Sequence, residues 1–292
     1  MKIVYENSKN LEKHGIISRA IRLFSVPLLN NLPASMIQKI MKKTSNDAAA
    51  VVNHGGSTHA LEGMYTRHHR SLFSRGMLQG FADLFWHHCI AQPKALRNRL
   101  KIVEKNLEEE VLRVINHKSQ KMISILNVGG GSSRAIIHSI DRLYKRGVKH
   151  KIEVINIDKS QKAIDLGKEI AKNFTLQNVF KWINDDARNI RKYIAASTID
   201  IAEMVGLLDY FPDEKGIEVV KQIHAALEDN GLLIIANIYP NSEMPFIHKT
   251  GWPRMHYRTP ENLNNLLKKS GFKKSTIIFE PLKCHIIATT RK

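Results

Sequence analysis

Three consecutive glycines, Gly129, Gly130 and Gly131, follow the apolar run Ile123–Val128 and lead directly into a helical pattern. Glycine lets a backbone pass close to a ligand, and free N–H groups at a helix start attract electron-rich oxygens. Asp158 stands 29 residues after Gly129, at the end of a second apolar run, residues 151–157. A carboxylate at a strand tip accepts both hydroxyls of a ribose, so this pair points to a nucleoside ligand. A third run, residues 179–183, ends in Asn184, Asp185, Asp186 and Ala187, where a carboxylate or backbone pair can meet an adenine amino edge. A fourth, Ile199–Val205, ends at Gly206 and continues as Leu-Leu-Asp-Tyr-Phe-Pro-Asp to Asp213. A fifth, residues 231–238, opens a long loop, residues 239–258. That loop interleaves Tyr239, Trp252, His256 and Tyr257 with Arg254 and Arg258, a composition that can surround an apolar body and pair an anionic end. Tyr257, His256 and Tyr210 are the candidates for proton handling, and Tyr65, His68 and His69 from the N-terminal half are candidates for the same acceptor.

The elements that must position these residues alternate between strand and helix, which predicts a mostly parallel sheet covered on both faces. Ser132 is expected to cap the helix after the glycines, with Ile136, Ile137, Ile140 and Leu143 facing the sheet. Ser160 caps the next helix, while Pro212 and Asp213 open one that runs to Leu227 and is stopped by Asn230 and Gly231. Residues 1–118 read as helical. Ile16, Ile17, Ala20, Ile21, Phe24 and Leu28 recur at helical spacing beside Arg19 and Arg22, bounded by Pro27 and Pro33. Such a helix either packs its stripe on the protein or lies on a membrane surface. Residues 53–57 form a glycine-rich joint, and residues 59–91 are dense in apolar and aromatic side chains that serve as core or line a pocket. Residues 93–116 form a long charged helix with the stripe Leu96, Leu100, Val103, Leu107, Val111 and Leu112, which ties a helical cap, residues 1–118, to a sheet domain, residues 119–292.

The stretch from about Ser119 to Lys292 resembles a class I S-adenosylmethionine-dependent methyltransferase. The resemblance rests on the glycine turn, on Asp158, on Asp185-Asp186 after the third strand, and on residues 275–290, which read as a closing antiparallel hairpin. It implies a Rossmann-like sheet of seven strands and the cofactor S-adenosylmethionine, with S-adenosylhomocysteine as product. The cofactor contacts it implies are Gly129, Gly130, Gly131, Ser132, Asp158, Lys159, Asp185, Asp186, Ala187 and Gly206. More narrowly, residues 206–213, residues 257–261 and Gln92-Pro-Lys-Ala-Leu-Arg-Asn-Arg99 resemble bacterial proteins of 3-hydroxypalmitate methyl ester biosynthesis. The chain departs from the family pattern at Asn127, where an acidic residue is usual, so the methionine amino group falls to backbone carbonyls or to Asn127.

Composition narrows the partners. The 292 residues include 45 Lys and Arg against 27 Asp and Glu, a net charge of +18. The excess is spread, with 18 basic against 9 acidic residues up to position 118 and 27 against 18 beyond it. Spread positive charge suits nucleic acid, an anionic membrane surface, or simple solubility. Cys89 and Cys284 are the two cysteines and fit a reducing, cytoplasmic setting rather than a disulfide framework. No apolar run approaches the roughly 18 residues of a membrane span, and no histidine or cysteine spacing suggests a metal. A small or lipid-like acceptor bearing a carboxylate or hydroxyl is favoured. RNA methylation is the alternative from another class, together with aminocarboxypropyl transfer or cofactor binding by a partner protein.

Overall fold

The computed structural model describes residues 1–66, 76–117 and 122–292. It opens with a short strand, β1 (Lys2–Tyr5), followed by helices α1 (Ile16–Asn31), α2 (Ala34–Thr44), α3 (Asn46–His54), α4 (Thr58–Thr66) and α5 (Met77–Leu84). A π-helical turn, Phe85–Cys89, leads into the long helix α6 (Ala91–His117). The remainder alternates: β2 (Ile123–Val128), α7 (Arg134–Lys145), β3 (Ile152–Asp158), α8 (Gln161–Asn173), β4 (Phe180–Asn184), β5 (Ile199–Val205), α9 (Asp213–Ala226), β6 (Leu227–Ile238). After β6 come α10 (Met244–Lys249), α11 (Pro260–Lys269), β7 (Ser275–Phe279) and β8 (His285–Arg291).

The strands form one sheet in the order β1-β7-β8-β6-β5-β2-β3-β4. β8 runs antiparallel to both β6 and β7, and the other pairings are parallel. The expected seven strands are therefore joined by an eighth at the edge. β1 pairs with β7, and Tyr5 stacks on Phe279 with ring centroids 5.2 Å apart. Four mostly exposed residues carry too little periodicity to announce such a strand.

The sheet is packed on both faces, as its apolar strands require. On one face Val219, Val220 and Ile223 of α9 and Leu263, Leu266 and Leu267 of α11 meet β2, β5 and β6. On the other, Ile136, Ile137, Ile140 and Leu143 of α7 and Ile102, Val103, Leu107 and Val111 of α6 do so. Burying each of these side chains is worth about 1.5–3 kcal/mol. Toward its start α6 turns instead to a third cluster, where Leu96 packs with Ile37, Met41, Val51, Met64 and Trp86. One helix, about 40 Å long by its residue count, thus serves two cores. Leu112, expected in the stripe, is 40% exposed.

Four local expectations are corrected. Ser133, not Ser132, precedes α7, in a left-handed conformation with no capping bond to the helix. Helix α9 ends at Ala226, because Leu227 is already extended, and Asn230 with Gly231 forms an irregularity inside the β5–β6 pairing. Pro27 lies within α1 rather than bounding it. The α1 stripe does not pack inward: Ile16 is 86% and Phe24 80% exposed, Ile17, Ile21 and Leu28 are exposed too, and the one buried residue of the helix is Val26. Met77, Leu78 and Phe81 of α5 are likewise exposed.

Candidate active site

Because β2 is flanked by β3 on one side and β5 on the other, the carboxyl ends of these parallel strands open a crevice. The turn after β2 is held by three backbone N–H donors: Gly129 N–H to Ile157 O at 2.8 Å, Ser133 N–H to Gly130 O at 2.8 Å, and Gly131 N–H to the Asp158 side-chain Oδ2 at 2.8 Å. Gly130 is required by close approach, since a Cβ there would stand 2.1 Å from Asn127 Nδ2 and 2.3 Å from Asn156 Oδ1. Beneath it the Asn127 amide donates to Ser133 Oγ at 2.8 Å, and that hydroxyl donates to Asn156 Oδ1 at 2.6 Å. The loop therefore rests on a buried polar stitch between β2, β3 and the start of α7.

The crevice is a cleft of about 580 Å³ walled by Gly129, Gly130, Gly131, Ser132, Asp158, Lys159, Asp186, Ala187 and Gly206. The sequence-predicted cofactor residues meet there with one exception. Asp185 turns away, accepting from Tyr193 Oη at 2.7 Å and Asn189 Nδ2 at 2.8 Å. Those bonds, with the Asp186 N–H, hold its carboxyl down at about 2. Asp186 faces the cleft, and its carboxylate accepts from the Arg188 N–H at 2.9 Å.

The roof comes from the N-terminal helices. Gly55, Gly56, Ser57, Thr58, Leu61, Glu62 and Tyr65 line the cleft, and Glu62 pairs with Arg134 at the start of α7. Gly55 sits where a Cβ would be 3.0 Å from the Gly251 carbonyl oxygen, so the joint presses directly on the loop after β6. The glycine-rich joint was visible in the sequence, but its place over the cleft was not.

Beside Gly206 lies a smaller chamber of about 50 Å³ that shares Leu61, Arg99, Gly206 and Tyr210 with the cleft. Gln92, Leu96 and Arg99 reach it from one face of α6, as their four- and three-residue spacing allows. Opposite them stand Asp209, Tyr210, Trp252 and His285. Arg99 is 3% exposed, and among the described residues its guanidinium makes loose contacts only, 3.4 Å to Tyr65 Oη and 3.9 Å to Asp209 Oδ2. Its Nε has no partner among the described residues. His285 Nε2 lies 3.2 Å from Gln92 Oε1, while Nδ1 is buried without a partner among the described residues. Burial, with the positive Arg99 nearby, pushes this imidazole well below its usual range, so it is neutral at pH 7. Tyr210 Oη accepts from Trp252 Nε1 at 3.0 Å, and burial raises its phenol.

Of the expected acceptor and catalytic residues, Tyr65, Tyr210 and Trp252 are on these walls. His68 and His69 lie outside the described residues. The others are drawn into packing, because His256 N–H donates to Asp209 O at 2.6 Å and Arg258 N–H to Ile238 O at 3.1 Å, pinning that end of the loop to the turn after β5 and to the end of β6. Tyr239 packs edge-on against Phe279 at 5.1 Å, and Tyr257 against His248 at 5.4 Å. Arg258, expected to hold an acceptor, is 2% exposed and donates to Asp213 Oδ1, Asn237 Oδ1, Leu208 O and Phe211 O. Sequence reading missed Glu62, Arg99, Glu203 and His285 as site residues. Arg99 alone had a signal, the motif at residues 92–99. Among the described residues no cluster of His, Cys, Asp or Glu could hold a metal ion, and no helix is long and apolar enough to cross a membrane.

Solved structures share this architecture. A possible exported protein from Bordetella parapertussis superposes with a TM-score of 0.61 at 14% identity, covering 89% of this chain and 97% of its own. The S-adenosylmethionine-dependent methyltransferase SibL, in its apo form, gives 0.55 at 14% identity, covering 95% and 77%. Magnesium protoporphyrin IX methyltransferase from Synechocystis, with bound S-adenosylhomocysteine, gives 0.53 at 13% identity, covering 85% and 100%. No curated protein matches the sequence. The model of the family described as "Putative methyltransferase" matches residues 42–291, which takes in both the roof of the cleft and its floor, and the chain belongs to that methyltransferase family.

Proposed function

We propose that this chain is a class I methyltransferase that uses S-adenosylmethionine to methylate a small or lipid-like acceptor enclosed between a helical cap, residues 1–118, and the catalytic domain, residues 119–292. The observation that carries the reading is the adjacency of the cleft and the chamber past Gly206, which share Leu61, Arg99, Gly206 and Tyr210 as walls and so give a nucleoside and an acceptor neighbouring places.

The cleft fits the cofactor by the chemistry of its donor set. Asp158 offers a carboxylate to ribose hydroxyls, and Asp186 with Ala187 faces the place for an adenine edge. Gly130 leaves no room for a side chain between the ligand and the polar stitch below. When bound, the cofactor supplies an activated methyl on a sulfonium. What the protein adds is alignment, which accounts for about 7–11 kcal/mol of barrier lowering at best. Arg99 provides a buried cation for an acidic acceptor, and a carboxylate needs no base. For a hydroxyl acceptor, neutral His285 takes the proton at Nδ1, and Gln92 fixes its ring. A chamber of about 50 Å³ takes the reacting end of an acceptor, with the rest lying toward the shared wall at Leu61 and Tyr210. The likeness of residues 92–99 and 206–213 to proteins of 3-hydroxypalmitate methyl ester biosynthesis agrees with a carboxylate, since both segments line this chamber.

The test is to incubate the purified chain with methyl-labelled cofactor and a cell extract, then fractionate. Label in the small-molecule or lipid fraction supports the reading; label in RNA contradicts it. Lipid-like acceptors are favoured by the exposed α1 stripe of Ile16, Ile17, Ile21, Phe24 and Leu28 beside Arg19, which suits an anionic bilayer surface. Co-sedimentation with phosphatidylserine vesicles, lost in Phe24→Asp, checks that contact. The two buried free cysteines suit a cytoplasmic location.

A further inference from the structure

Glu203 is a buried acid on the wall of the cleft. It lies on β5 directly beside Asn127 on β2, their Cα atoms being register partners, and it lines the cleft between Arg99 and Gly206. It is 6% exposed, and its Oε2 has no hydrogen-bond partner among the described residues. Burying a carboxyl without partners is costly, so a structural purpose would normally show as a bond to backbone or to a neighbouring donor. Asn127, its neighbour, donates to Ser133 Oγ and keeps Oδ1 without a partner among the described residues, an acceptor that carries no charge to balance a cation. A cationic group entering the cleft at the end of β2 would meet a single buried carboxyl on that floor.

We infer that Glu203 is the counter-ion for the ammonium of an amino-acid-bearing nucleoside in this cleft, so that the charge reading the ligand's amino-acid end comes from β5 and not from β2. The inference rests on the nucleoside reading of the same site. Burial, partly offset by Arg99, raises Glu203 to about 8, so it is protonated in the free protein at neutral pH. The arriving ammonium then displaces that proton to solvent and takes its place beside the carboxylate. This device keeps an unpaired negative charge out of the empty cleft and makes recognition of the ammonium coincide with ionisation. The other charged groups facing Glu203 are Arg99 and Glu104, both on α6.

Calorimetry with two ligands tests this: S-adenosylhomocysteine, and 5′-methylthioadenosine, which carries the same nucleoside without the amino acid. Glu203→Gln, nearly the same shape, is expected to weaken the first by about tenfold or more and to leave the second unchanged. In the wild type, affinity for S-adenosylhomocysteine should rise from about pH 6 to about pH 7.5, and in the variant it should not. Equal affinity of both proteins for S-adenosylhomocysteine overturns the inference while leaving the nucleoside site intact. A parallel loss for both ligands also overturns it, by showing a general structural role. Binding of neither ligand to the wild type overturns the nucleoside reading itself, and the inference with it.

Discussion

Asp158 Oδ2 accepts the Gly131 N–H at 2.8 Å, so the carboxylate expected to read a ribose also closes the glycine turn. Its other oxygen, Oδ1, accepts the Ser160 N–H at 2.8 Å. Ligand reading and loop shape are thus joined in one side chain, and substitutions should separate them. Asp158→Asn keeps an oxygen for Gly131 but turns an NH2 toward the Ser160 N–H, so it should melt below wild type and above Asp158→Ala, and bind S-adenosylhomocysteine about tenfold more weakly or worse. Asp158→Ala should lose both binding and melting temperature. Calorimetry beside thermal melting distinguishes them.

Arg258 should behave as a structural tether. Replacing it with Ala leaves Phe211 O and Asn237 Oδ1 without their donor, and Leu208 O with the Phe211 N–H alone, at a cost of about 2–4 kcal/mol. Lys should rescue little, because it lacks the planar fork. Melting temperature should fall, while cofactor affinity in the folded protein stays near wild type.

Arg99→Lys and Arg99→Gln address the acceptor. With its guanidinium 3.9 Å from Asp209 and 3.4 Å from Tyr65 Oη, Arg99 is held in place but not consumed. Turnover of an acidic acceptor should drop by about a hundredfold in Arg99→Gln, a loss of nearly 3 kcal/mol, with S-adenosylhomocysteine affinity changed far less. Steady-state kinetics beside calorimetry checks the split.

Stability against pH carries the mark of Glu203. A carboxyl near 4.5 when unfolded and at about 8 when folded binds more protons in the native state across that window. Stability contributed by its protonated form is therefore present below about pH 4.5 and is lost as pH rises toward 8. Glu203→Gln should be more stable than wild type near pH 8, on the order of 2–4 kcal/mol, and indistinguishable near pH 4. Denaturant melts at the two pH values measure it.

The floor of the cleft was legible because its signals are local. A strand, three glycines and an acid one helix and one strand later need no distant residue to be interpreted. The walls were not, since Arg99, Glu203 and His285 come from three remote segments that only the folded sheet and α6 bring together. Adjacent acids posed a different problem. Asp185 and Asp186 look alike in sequence, and only the bonds from Tyr193 and Asn189 decide which one turns away. Arg258 was misread because the acceptors that claim it are mostly backbone carbonyls, which composition does not reveal. The α1 stripe shows the converse, a helical period that was plain on a face that is exposed in the fold.

The most direct test of the account is a crystal structure of the chain grown with S-adenosylhomocysteine. It predicts the nucleoside in the cleft after β2, with ribose hydroxyls on Asp158, the adenine beside Asp186 and Ala187, and the sulfur toward Gly206 and the chamber of Arg99 and Tyr210. An empty cleft at saturating ligand, or a nucleoside bound anywhere else on the protein, would contradict it.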